Sequence, residues 1–124
     1  MDWEYLIKIN DYILNRVASD PNKIFIKIDD SNISYNEFNN FIYSYMQQFS
    51  SYDSSIKRLL IDIEGPIYIL SALCACNRLN IVPIIMPSQN ARVRDVDYYK
   101  ISQADHTINN NCIFPKNYTC IMRI

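Results

Sequence analysis

The sequence predicts a single α/β domain, residues 1–124, with a mostly parallel central sheet flanked by helices. Three observations point there. Residues Arg58–Pro87, RLLIDIEGPIYILSALCACNRLNIVPIIMP, read as strand, helix, strand. An apolar run ends in Asp62 and Glu64, Gly65-Pro66 breaks it, and after a long apolar block a second run spans Ile81 to Ile85. Helical and strand periodicities also alternate along the chain, the order that lays strands parallel. Finally, Leu59–Ile61 is apolar on both faces, as a central parallel strand must be. At 124 residues, 49% hydrophobic and 20% charged, the chain can fill one core and not two.

Taken in order, Trp3–Val17 is an amphipathic helix with Trp3, Leu6, Ile7, Ile13, Leu14 and Val17 on its stripe; Asp20-Pro21-Asn22 ends it. Ile24–Ile28 alternates as a strand, with Ile24, Ile26 and Ile28 on one face. The turn Asp29–Asn32 returns Ile33 as a short antiparallel partner. Ser34-Tyr35-Asn36-Glu37 is a capping box, with Ile33 and Phe38 placed as its hydrophobic staple. The helix it opens runs to about Ser50, with Tyr35, Phe38, Phe41, Ile42, Tyr45, Met46 and Phe49 at helical spacing. So aromatic a stripe could be a ligand platform, but spacing sustained over the whole helix favours core packing.

After the polar connection Ser50–Ser55, Lys57–Ile63 is the central strand. Pro66 then sits in the first turn of the helix Pro66–Leu79, where its missing amide hydrogen costs nothing. That helix is apolar almost all round and should be deeply buried. Asn80 follows it at the left-handed position where glycine is usual. Pro83 cannot donate to a ladder, so Ile81–Ile85 is an edge strand or an interrupted one. Met86–Asn90 is a loop, and Arg92–Gln103 a weaker helix with Val93, Val96 and Tyr99 inward. Beyond His106 the pattern shortens: strands at Thr107-Ile108, Cys112–Phe114 and Tyr118–Arg123, with a turn at Asn109–Asn111.

Charge and composition exclude several classes. A net charge of −1 with scattered Lys and Arg leaves no basic stripe for nucleic acid. The longest uncharged apolar run, Pro66–Cys76, is too short to span a bilayer, and Asp2 and Glu4 precede any apolar block, unlike a signal peptide. The expected compartment is the cytoplasm. Cys74 and Cys76 diverge by about 200° on one helix and cannot share a bond or a metal. Cys112 and Cys120 flank a Pro115-Lys116-Asn117 turn and could face each other across a hairpin, although cytosolic thiols are ordinarily reduced. One histidine, His106, gives no zinc-ligand spacing. Gly65 is the only glycine, which excludes a phosphate-cradling P-loop and a dinucleotide fingerprint.

Three pieces in order carry a family resemblance. Ile33-Ser34-Tyr35-Asn36-Glu37-Phe38 resembles the (L/I)-(T/S)-Y-x-E-(L/F) opening motif of adenylate-forming enzymes: acyl-CoA synthetases, luciferases and nonribosomal peptide synthetase adenylation domains. Pro21–Ile28 looks like the hairpin that leads into that motif. Arg58–Pro87 is similar to the family's next conserved region, with Ala72, Ala75, Val82, Pro83 and Pro87 matching and Asn80 replacing the usual glycine. The resemblance spans roughly residues 3–110 and implies the N-terminal subdomain of such an enzyme. The family's phosphate loop, its adenine-, Mg²⁺- and ribose-binding segments and its adenylation lysine match no position here. No catalytic, cofactor-binding or metal-binding residue is therefore carried over, and the chain is expected to stop before those motifs.

Among the residues themselves, Asp62 and Glu64 end a central strand where open α/β sheets bind ligands, yet no histidine, lysine or phosphate loop completes a site. His106 is expected to be a surface or capping residue, and Arg92 and Arg94 a solvated face. In Cys112–Ile124, the apolar Phe114, Tyr118, Ile121 and Met122 are the candidate partner-binding residues; the alternative is a hairpin that folds back to close the sheet. The expected function is a non-catalytic, truncated adenylation-domain homologue. It would be an accessory in nonribosomal peptide or related biosynthesis, without cofactor, docking on a companion synthetase or on itself. The alternatives are one chain of a split adenylate-forming enzyme, or a small-molecule binder using the crevice beside Asp62 and Glu64.

Overall fold

In the computed structural model, which describes residues 3–28, 30–52 and 56–109, Ser34 closes one element and opens the next. Its hydroxyl accepts the Glu37 amide at 3.1 Å, and the Glu37 carboxylate accepts the Ser34 amide at 3.2 Å, so both halves of the capping box form. The helix it starts, α2 (Tyr35–Ser50), follows α1 (Trp3–Ser19) and the antiparallel hairpin β1 (Ile24–Ile28) and β2 (Ser31–Ser34). Then come β3 (Arg58–Asp62), α3 (Pro66–Arg78), β4 (Val82–Ile85), a 3₁₀ turn at Gln89–Ala91, α4 (Tyr98–Ser102) and β5 (His106–Asn109).

The second sheet has the order β4-β3-β5 and both of its pairings are parallel, which puts Leu59–Ile61 in the centre as its sequence demands. The three long helices pack on one another and cover the face that carries Leu59 and Ile61. Phe38, Phe41, Ile42 and Tyr45 of α2 are fully buried there. At about 1.5–3 kcal/mol of transfer free energy for each large apolar side chain, these four make α2 the strongest contributor to the core. The aromatic stripe is packing, not a platform.

Among the described residues, two of the four with positive φ fall where the sequence placed a break. Gly65 has φ +102°, and Asn80, at φ 59°, takes the left-handed step after α3. The Val82 amide bonds Lys57 O and the Met86 amide bonds Ile61 O, so β4 alternates toward and away from β3. Pro83 lies on the outward side, at the sheet's edge, where no donor is needed.

Three expectations are corrected. Arg92–Gln103 is not one helix: Asp95 has φ 64°, which breaks it, and Asp97 caps only the short α4 by accepting the Lys100 amide. Val93 and Tyr99 are consequently exposed, and Val96 is half-buried. On α1 the buried line is Leu6, Asn10 and Ile13, which turns Trp3, Ile7 and Leu14 outward. In β1 a register shift between Ile24 and Ile26 breaks the strict alternation, exposes Ile24 and lets Phe25 pack on Tyr35 and Phe38. The strands expected at Cys112–Phe114 and Tyr118–Arg123, and the pairing of Cys112 with Cys120, lie outside the described residues.

Candidate functional site

A parallel sheet presents its carboxyl ends to the start of the next helix, and here that junction forms a crevice of about 450 Å³. Asp62, Glu64 and Gly65 supply one wall. Ile85, Met86 and Pro87, at the end of β4, supply the other, with Ile69 between them and Arg92 across the mouth. The interior is mainly apolar and the rim polar, the usual partition of a ligand crevice.

Arg92 pins the rim. Its Nη2 bonds Asp62 Oδ1 at 2.5 Å and its Nε bonds Pro87 O at 2.9 Å, tying the irregular segment after β4 to the end of β3. The expectation of a solvated Arg92 is thus corrected: with the helix broken at Asp95, the chain brings Arg92 back over Asp62. On the third side α3 starts just after Gly65, and among the described residues no side chain caps its first amides. A Cβ on Gly65 would meet Tyr68 Cδ2 at 2.9 Å, so both φ and space demand glycine.

Chemically this arrangement can bind and orient. Among the described residues no histidine, lysine or cysteine lines it, and Asp62 is already paired with Arg92. His106 lies at the opposite end of the strands, level with Leu59, its ring 4.0 Å from that of Tyr52. The residue that caps there is Asp105, not His106. Asp105 Oδ2 accepts the amides of Lys57 at 2.7 Å and Arg58 at 2.9 Å. Those two bonds hold the Asp105 carboxyl below its ordinary pKa.

Two further features were missed in the sequence. Asn10 interrupts the apolar face of α1 and donates to Cys74 O at 3.2 Å and Asn77 Oδ1 at 2.8 Å. It also accepts Arg78 Nε at 3.0 Å, while Arg78 Nη2 donates to Asn39 Oδ1 at 2.9 Å, so one guanidinium ties α3 to α1 and α2. Burial pushes the Arg78 pKa down. The signal was present: a polar residue at i+4 from Leu6 on the buried stripe. Cys74 and Cys76 are free and buried, as expected, and desolvation raises their thiols to about 11 and about 12.

Among the described residues no group of His, Cys, Asp or Glu could hold a metal ion, and no helix is long and apolar enough to cross a membrane. The candidate partner-binding residues Phe114, Tyr118, Ile121 and Met122 lie outside the described residues.

No family model and no curated protein sequence matches the chain. Solved structures of O-succinylbenzoate coenzyme A synthetase (MenE) from Bacillus subtilis do match in fold. The unliganded form aligns with TM-score 0.62 and 14% identity over 89% of this chain and 24% of its own. A double mutant bound to the product analogue OSB-NCoA aligns with TM-score 0.65 and 14% identity, covering 89% and 23%. The AMP complex aligns with TM-score 0.62 and 14% identity, covering 89% and 29%. The chain spans about a quarter of the length of these structures. Its fold is therefore similar to part of an adenylate-forming acyl-CoA synthetase, the fold that its Ile33–Phe38 and Arg58–Pro87 segments resembled.

Proposed function

We propose that the chain is a non-catalytic, truncated adenylation-domain homologue that acts through protein contacts, as an accessory in nonribosomal peptide or related biosynthesis in the cytoplasm. The observation that carries this is an apolar band on the described surface: Trp3, Ile7 and Leu14 of α1, with Val82 and Ile85 of β4, are each at least 36% exposed. Contiguous exposed apolar surface is a mark of association. The crevice supports the same reading, since among the described residues it offers binding groups but no histidine, lysine or cysteine, and the chain has no glycine-rich loop. The test is gel filtration with light scattering on the full chain, alone and mixed with an adenylate-forming synthetase from the same cell. Association in either arm is expected; a monomer that leaves the synthetase unshifted overturns the proposal.

A second reading is favoured by the coverage: one chain of a split adenylate-forming enzyme, the rest of the fold being supplied by a companion. It requires pyrophosphate exchange that appears only when both polypeptides are mixed. A companion already fully active alone excludes it.

A further inference from the structure

We propose that Tyr12 is a modification site: an exposed nucleophilic phenol that takes an acyl group from activated acyl donors. Three side chains on two helices build it. Tyr12 lies on α1 and is 48% exposed, so a reagent reaches its hydroxyl. One turn further on, Arg16 donates its Nε hydrogen to Tyr12 Oη at 3.2 Å. From the first residue of α2, the Tyr35 hydroxyl donates to the same oxygen at 3.4 Å. Tyr35 is itself fixed. It is buried, its amide bonds Lys23 O at 3.0 Å, and its ring centroid lies 4.8 Å from that of Phe25 and, edge-on, 5.9 Å from that of Tyr12.

Two donors on one phenolic oxygen favour its anion and leave its own proton to water. The Tyr35 hydrogen bond and then Arg16 hold Tyr12 below the ordinary tyrosine pKa, with a weaker contribution from Lys23. The same bond, and then burial, hold Tyr35 above it, so Tyr12 is the phenol of the pair that ionises. By the relation that governs thiolates, tenfold more anion costs about threefold in its reactivity, a net gain of about threefold near neutral pH. Arg16 also has a second use. Among the described residues it makes no ion pair with a carboxylate, Asp20 being the weakest influence on it, and its terminal nitrogens bond nothing. They can donate to the oxyanion that forms when Tyr12 Oη adds to an acyl carbon. The bond from that carbon to the leaving group then breaks. The leaving group departs with the electron pair and takes a proton from water, and Tyr12, whose phenolic proton has passed to solvent, is left as an acyl ester.

The test is limiting N-acetylimidazole, which acetylates phenols and releases imidazole, added to the full chain near neutral pH. Peptide mass mapping reads each tyrosine, and hydroxylamine, which cleaves the aryl ester, separates it from acetyl-lysine. Tyr43 is the internal standard. It is equally exposed at 48%, and among the described residues its hydroxyl makes no hydrogen bond, Arg78 lying over its ring instead. Tyr12 is expected to react at least about threefold faster than Tyr43, with the midpoint of its pH–rate profile lower. Tyr35→Phe removes one hydroxyl from a packed ring and Arg16→Met removes the guanidinium. Each should slow Tyr12 toward the Tyr43 rate, and the two together should bring it there, with circular dichroism to confirm that every variant folds. Tyr12 no faster than Tyr43 overturns the inference, as does a fast Tyr12 that neither substitution slows.

Discussion

Replacing Asn10 by alanine takes away the polar centre of the helical layer. The substitution removes the acceptor of Arg78 Nε and the donor to Cys74 O and Asn77 Oδ1. Asn77 is half-buried and can turn to water, so its loss contributes little. Arg78, a charged group, loses more, because burial already disfavours its charge and its remaining side-chain acceptor is Asn39 Oδ1. A hydrogen bond to a charged group is worth about 1.5–3 kcal/mol and a neutral buried one about 1, which gives a loss of about 3 kcal/mol. Urea unfolding followed by circular dichroism reads this as a midpoint about 1–2 M lower, at an m-value of about 2 kcal/mol/M. Asn10→Leu/Arg78→Met, which replaces both partners by apolar groups, should cost less than the sum of its single substitutions. A loss below about 0.5 kcal/mol for Asn10→Ala, or strict additivity in the cycle, would refute the claim that one guanidinium ties the three helices together.

Other perturbations follow from single contacts. Gly65→Ala forces a side chain onto φ +102° and against Tyr68, and should lower stability by about 1–3 kcal/mol by denaturant titration. Asp62→Asn removes the charge partner of Arg92; it should cost about 1 kcal/mol and speed amide exchange in residues 86–97 while the helices keep their protection. Asp105 has a depressed folded pKa, so its contribution is complete above the unfolded value of 3.8 and is lost as pH falls through the folded one. Stability should therefore fall as the pH drops below about 4, and Asp105→Asn should flatten that slope in acid titrations. Cys74 and Cys76, with thiols near 11 and 12, should resist alkylation at pH 8 until the chain unfolds, as peptide mass mapping would show.

Much of the fold could be read from local chemistry. The capping box, Pro66 in the first turn of α3, left-handed Asn80, edge-bound Pro83 and the twofold-apolar Leu59–Ile61 are each decided by a few neighbouring residues, and each stands as expected. What escaped depends on groups distant in sequence. Val93, Val96 and Tyr99 have helical spacing, but Asp95 adopts a left-handed backbone and Arg92 is drawn to Asp62, thirty positions away. Periodicity registers neither. Likewise Trp3, Ile7 and Leu14 look like core on a helical wheel. In the fold, Asn10 meets its partners on α3 and lies with Leu6 and Ile13 on the side of α1 that turns inward. The Asp62 and Glu64 crevice was legible from their place at a strand's carboxyl end; the pin across it was not.

The non-catalytic role proposed for this chain makes one demand that a single assay reads directly. The purified full chain, incubated with ATP, Mg²⁺ and a panel of carboxylic and amino acids, should yield no acyl-adenylate by mass spectrometry. Acyl-adenylate made by this polypeptide with no other protein present would contradict it.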